Sequence, residues 1–328
     1  MSKGHYDHVA HSAASVTRAT QSREKTFTSR DLDPKMDPKY KPYRECFRVA
    51  PYEEALPVVL GLDETGSMST IPHFLVSDPK NGLPGMVKGL YPFVRHPQIC
   101  PIGIGDSRVN ERAPFQFGHF EGEGHKMDEW LTKICLVGEG GGNQGESYEL
   151  AMFGAARMVN ADAFKAGDKG IFAMIADEPI FSEVRTLDVN RLCSDVHFIA
   201  EDIPTAQIVR ELSQKYHAFM IAPDLGRFQR VEKNWRTYFG ANAIGAACQE
   251  DVALLICGLT GLSKGTLTDL DVFDRLMLEQ FDRKDGRARG RVIVILEAYA
   301  ATLGRAGEQR DVKQASPSDD RASGNARV

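Results

Sequence analysis

The stretch Val58-Val-Leu-Gly-Leu-Asp63-Glu-Thr65-Gly-Ser67-Met-Ser69 joins an apolar run to oxygen-bearing side chains at alternate positions. Leu56–Leu62, with its adjacent valines, suits a strand buried on both faces of a parallel sheet. Gly66 breaks the run, so the chain turns just past the strand's carboxyl end, where open α/β sheets bind ligands. The carboxylate of Asp63 and the hydroxyls of Thr65 and Ser67 are hard oxygen donors. That is the ligand set expected for Mg²⁺, or for Mn²⁺ or Ca²⁺. Asp, Thr and Ser are also favoured helix caps, but a cap needs one oxygen and this turn gathers several.

Working outward, strand-like and helix-like segments alternate. Gln98–Gly105, Phe115–Phe120, Gly170–Ala176 and Ala218–Ala222 read as further strands. Pro101 marks a place in its strand where one amide is not needed. Gly82–Val94, Glu146–Val159, Pro204–Tyr216, Val231–Phe239, Asp251–Leu262, Asp269–Phe281 and Val292–Leu303 read as helices. The alternation predicts an α/β fold: a doubly wound, mostly parallel sheet with helices on both faces, Rossmann-like in its layering.

Two more constellations carry chemistry. Glu139-Gly-Gly-Gly-Asn143-Gln144-Gly-Glu146-Ser147 is a glycine-rich loop entering a helix. It has the spacing of a phosphate-binding loop, but Glu146 stands where that loop needs lysine and would repel the phosphates. Asn143, Gln144, Glu146 and Ser147 can instead offer oxygens to a cation. Ala176-Asp177-Glu178-Pro179 ends the apolar run Gly170–Ala176 much as Asp63 ends its own. In a parallel sheet, two such strand-end carboxylates can converge at one edge.

Asp63-x-Thr65-x-Ser67, then a Gly-Gly loop with its helix, then a strand-end Asp177, resembles the von Willebrand factor type A domain with its metal-ion-dependent adhesion site. The resemblance covers about Tyr52 to Leu262. It implies that Thr65 and Ser67 ligate the ion directly, while Asp63 and Asp177 hold it directly or through water. Asn143 stands where the family usually has Thr, and Glu178 follows Asp177 where Gly is common. Ser69, Asp106, Gln144, Glu146, Ser147 and Glu178 are alternative or supporting donors. The function implied is non-catalytic: metal-dependent docking of an acidic side chain from a partner protein. Intracellular members of the family often work beside an ATPase or a kinase.

Two other classes compete. Asp-Glu-Thr-Gly-Ser also resembles the nucleophile motif of phosphorylated cation pumps and, more distantly, of haloacid dehalogenase phosphatases. There Asp63 would attack phosphorus, and Asp177 with Glu178 would bind Mg²⁺. Glu64 replaces the pump lysine, and Thr65 stands where the soluble phosphatases use an acid. A structural subunit with a degenerate metal site is the remaining class.

The 328-residue chain, 42% hydrophobic with a formal charge of −5, can bury a sizeable core. It lacks the basic balance of a nucleic-acid binder. The six scattered cysteines show no zinc-like spacing and suggest reduced thiols. With no signal-like or membrane-length apolar segment, a cytoplasmic protein is expected. Residues 1–44 and 304–328 are polar enough to predict disordered tails. His5, His8 and His11 could share one helical face and bind a metal, but a tail needs less support. His119 and His197 sit among apolar residues and read as structural. Residues 45–265 are expected to form the main domain, and 266–303 a helical extension.

Overall fold

The computed structural model describes residues 5–66, 68, 70–109, 111–136, 145–281 and 283–314. Six strands form the central sheet: β1 (Ala55–Asp63), β2 (His96–Ile104), β3 (Phe115–Phe117), β4 (Gly170–Ile175), β5 (Tyr216–Ala222) and β6 (Ala243–Gly245). Their order is β6-β5-β4-β1-β2-β3, parallel throughout except that β3 runs antiparallel to β2. Every residue of β1 is buried, as a strand covered on both faces must be. Gly61 lets β4 approach it, since a Cβ there would come to 2.4 Å from the Met174 sulfur.

Helices cover both faces. On one side lie α1 (His8–Ala19), α2 (Thr70–Ser77), α3 (Leu83–Leu90), α4 (Gly124–Thr132), α8 (Val252–Lys264), α9 (Leu270–Gln280) and α10 (Gly286–Gln314). With α5 (Tyr148–Arg157), α6 (Thr205–Lys215) and α7 (Leu225–Phe239) on the other, the fold is doubly wound. Alternate β1 residues serve the two layers: Leu56, Val58, Leu60 and Leu62 meet the first, Ala55 and Val59 the second. The chain leaves β1 towards β2 and β3, then returns to β4 on β1's other side. The switch in direction therefore falls between β1 and β4.

Three expectations from sequence are corrected. The described part of 1–44 is docked, with Phe27, Met36 and Arg44 buried. Helix α1 packs on α2, α3 and α4, and its inner face is polar. His11 Nε2 lies 3.0 Å from Asp128 Oδ1 and Arg18 Nη1 lies 2.7 Å from Asp128 Oδ2. An ion-paired contact of this kind leaves no apolar period to detect. Second, α9 and α10 are no appended extension: Phe273, Met277, Val292 and Leu296 share one apolar core with β1. Third, α10 continues to Gln314, while 315–328 lie outside the described residues.

Shorter elements lie outside the segments assigned from sequence. The connection after Ser69 holds helix α2, whose Pro72 sits in the first turn, where a proline costs no hydrogen bond. Helix α4 and the three-residue β6 left too little periodicity to read. No helix among the described residues is long and apolar enough to cross a membrane.

Asp128 is 1% exposed and balances two basic side chains. Asp128→Ala is expected to cost about 2–4 kcal/mol, because removing one partner strands the others. Urea unfolding measures this; an unchanged midpoint would mean α1 is not fastened by that pair.

Candidate functional site

Asp63 closes β1 and Asp177 follows β4 by two residues, with Leu62 and Ile175 in register. The two acids thus stand at neighbouring strand ends on either side of the switch, where sheets of this class form their ligand crevice. Both are 1% exposed. Asp63 Oδ1 accepts hydrogen bonds from the Thr65 amide (2.8 Å) and hydroxyl (2.6 Å). Oδ2 accepts from the Tyr148 hydroxyl at 2.5 Å. That hydroxyl in turn accepts from the Glu178 amide at 3.3 Å, so Tyr148 ties the end of β1 to the turn after β4. Asp177 is held by Arg227, whose Nη1 lies 3.0 Å from Oδ2 and 3.0 Å from the Met68 sulfur. Arg227 thereby links the Asp177 turn to Met68, five residues past Asp63.

The glycine loop's far end is positioned from both sides. Gly145 takes φ 151°, and a Cβ there would meet Phe181 at 2.8 Å. The Glu146 amide donates to Pro179 O, and the Ser147 amide to Gly105 O, each at 3.2 Å. Ser147 Oγ also lies 2.8 Å from Ser107 Oγ and accepts from the Ser107 amide. Asp106 Oδ1 accepts from the Arg108 amide, while its own amide donates to Glu111. The ends of β1, β2 and β4 and the start of α5 therefore surround one small region. Ser67, Ser69, Asn143 and Gln144 lie outside the described residues.

Carboxyl groups accumulate there, and burial favours their protonated forms. Burial pushes the Asp63 carboxyl up to about 7, with Asp177 adding to the rise. Glu146 is raised to about 10 by burial and by Asp63, Glu111, Asp106 and Glu178. Glu111 rises to about 7 and Glu149 to about 8, each chiefly by burial. Glu64, fully buried, is also held well above the carboxylate range by burial and by Glu111 and Asp63. It bonds the Gln116 amide, which is itself pinned to Cys135 O at 3.0 Å. Both oxygens of Glu149, Glu146 Oε2 and Asp106 Oδ2 are buried without a hydrogen-bond partner among the described residues. The Arg108 guanidinium, 3.7 Å above the Phe181 ring, approaches Glu149 only to 3.9 Å.

Such a set of buried, underpaired oxygens fits a cation, whose charge would offset their desolvation. Among the described residues, however, no three His, Cys, Asp or Glu side chains are grouped to hold a metal. A metal at this edge would therefore need hydroxyl and amide oxygens as well. Thr65 is such a donor, already aligned on Asp63. Sequence reasoning missed Tyr148, Arg227, Glu64 and Glu149. Only Glu64 carried a cue, through its place inside the motif. Of the expected structural histidines, His197 Nε2 lies 2.6 Å from Pro42 O, and the His119 ring packs tilted against Trp130 with centroids 4.6 Å apart.

No protein-family model matches the chain, and no curated protein does. Among solved structures it is similar to the pilus adhesin SpaC of Lactobacillus rhamnosus GG. To the open conformation it has 10% identity and a TM-score of 0.41, over 68% of this chain and 30% of the adhesin. A second form of the same adhesin gives 10% identity and a TM-score of 0.38, over 68% and 31%. The chain thus spans about a third of the adhesin's length, and a likeness this distant says nothing of its chemistry.

Two outcomes follow from the geometry. Tyr148→Phe removes the donor to Asp63 and should cost about 1–3 kcal/mol, the penalty of leaving a buried carboxyl oxygen without its partner; thermal or urea unfolding reads it. In chelator, Asp63 holds its proton more tightly folded than unfolded, since about 7 exceeds the ordinary 3.8. Its contribution is then complete below the ordinary value and is lost as pH rises through the folded one. Stability should fall over that window, and less steeply in Asp63→Asn.

Proposed function

We propose that the chain is a divalent-cation-dependent docking module, with a Mg²⁺-type ion held at the carboxyl edge of the sheet between β1 and β4. The observation that carries the proposal is the pairing of Asp63 and Asp177 at adjacent strand ends, with the Thr65 hydroxyl bound to Asp63. In this reading Thr65 and Ser67 ligate the ion, with Asn143 from the glycine loop. Asp63 and Asp177 hold it directly or through water. A site with few direct carboxylates leaves the ion electrophilic and able to take an Asp or Glu from a partner protein. The resemblance to von Willebrand factor type A domains in the order of the three motifs supports the same reading. An intracellular complex built around an ATPase or kinase is the setting that resemblance suggests.

Asp63 as a phosphoryl-accepting nucleophile has less support. Both its oxygens already accept hydrogen bonds, and it is nearly inaccessible to solvent. Acetyl phosphate should therefore leave the protein unmodified at Asp63 by mass spectrometry.

Isothermal titration of the chelated protein with Mg²⁺ or Mn²⁺ tests the docking site. Wild type should show saturable binding, Asp63→Ala should abolish it, and Asn143→Thr should change affinity less than Asp63→Ala. No metal response in wild type, or an equal response in Asp63→Ala, would sink the proposal.

A further inference from the structure

Arg227 is a basic residue in an awkward place. It lies in the first turn of α7, where the unpaired amides of a helix start disfavour positive charge. Helical side chains lean towards the N-terminus, so the guanidinium is carried back past the helix start to the turn after β4. There Nη1 lies 3.0 Å from Asp177 Oδ2 and 3.0 Å from the Met68 sulfur. Asp177 and Met68 are buried, while the arginine side chain is 29% exposed. A buried carboxylate needs a counter-charge, and Arg227 supplies one.

The other side of the guanidinium is anchored at the helix start. Nε lies 2.9 Å from Asp224 Oδ2, and Asp224 Oδ1 accepts the Arg227 amide at 2.8 Å as the cap of α7. The Asp224 side chain is 42% exposed. Arg227 therefore bridges a buried acid and an exposed one. Withdrawn from Asp177, it would keep its ion pair with Asp224 and gain water, so its departure strands no basic group. A divalent ion coordinated by Asp177 would stand close to a guanidinium on the same carboxylate. Like charges that near each other in a poorly hydrated corner repel strongly.

We propose, on the reading of this edge as a metal-dependent docking site, that Arg227 regulates its loading. A divalent cation takes Asp177 only by driving the guanidinium outward, where it rests on Asp224 alone. Asp177 is neutralised in both states, by arginine in one and by metal in the other. Metal affinity is then set by this exchange as well as by the oxygen donors. Each cation weakens the other's hold by the same factor, as linkage requires.

The full chain, stripped with EDTA and returned to about 150 mM salt, is titrated calorimetrically with Mg²⁺. Arg227→Gln should bind at least about ten-fold more tightly than wild type, a difference of about 1.4 kcal/mol. Arg230→Gln removes an equal charge one turn further along α7, where it is exposed and screened. It should change affinity less than about three-fold. A second arm uses wild type and needs no variant to fold. Rotation of the Arg227 guanidinium, followed by NMR of its side-chain nitrogens, should be hindered in EDTA and faster at saturating Mg²⁺. Equal affinity in wild type and Arg227→Gln overturns the exchange and leaves the docking site standing. Arg230→Gln tightening binding as much as Arg227→Gln, or guanidinium rotation unchanged at saturation, overturns it equally. No Mg²⁺ binding in wild type removes the docking site and the exchange together.

Discussion

A carboxylate buried at the end of a central strand must find donors, and the arrangement of this molecule follows from where Asp63 finds them. One oxygen is taken by the turn that follows it, through Thr65; the other by Tyr148 at the first turn of α5. Because Tyr148 also receives the Glu178 amide, a single hydroxyl sets the start of α5 and the departure of the chain from β4. Its ring lies 5.4 Å from that of Trp235, whose indole donates to Glu178 O at 2.9 Å. Helix α7 is thereby brought to the same corner. An ordinary apolar junction would need none of this.

The corner is expensive to maintain. Asp63, Glu64, Asp106 and Asp177 are buried at the strand ends, and Glu146 and Glu149 at the start of α5 beside them. Arg227 and Arg108 offset part of the charge, and proton uptake by the raised carboxyls offsets more. A fold selected only for stability would replace several of these acids with apolar residues, since buried ionic groups seldom stabilise relative to them. Their concentration at the ligand edge of the sheet is consistent with a role that needs oxygen donors there. Arg227 is the cation on Asp177, and under the proposed docking role a metal would compete with it.

What could be read from residues alone follows the kind of interaction involved. Strand β1 announced itself because burial on both faces demands an unbroken apolar run, and β4 with Asp177 repeated the pattern. The layered class followed from the alternation of periods. Tyr148 and Arg227 gave no cue, since a helix-borne tyrosine and a surface-type arginine look alike wherever they fall, and their partners are far away in sequence. Helix α1 was hidden for a different reason. Its buried positions are His11 and Ser15, so the usual apolar stripe is missing and composition alone suggests an unfolded segment.

That polar docking face has a consequence for how the chain is made. A ribosome releases α1 long before Asp128, the acid that contacts both His11 and Arg18, and before α2, α3 and α4 on which it rests. Until those segments arrive, the helix has no surface to settle on, and its short length gives it little independent stability. Helix α1 therefore finds its place only after the later segments that carry its partners have formed.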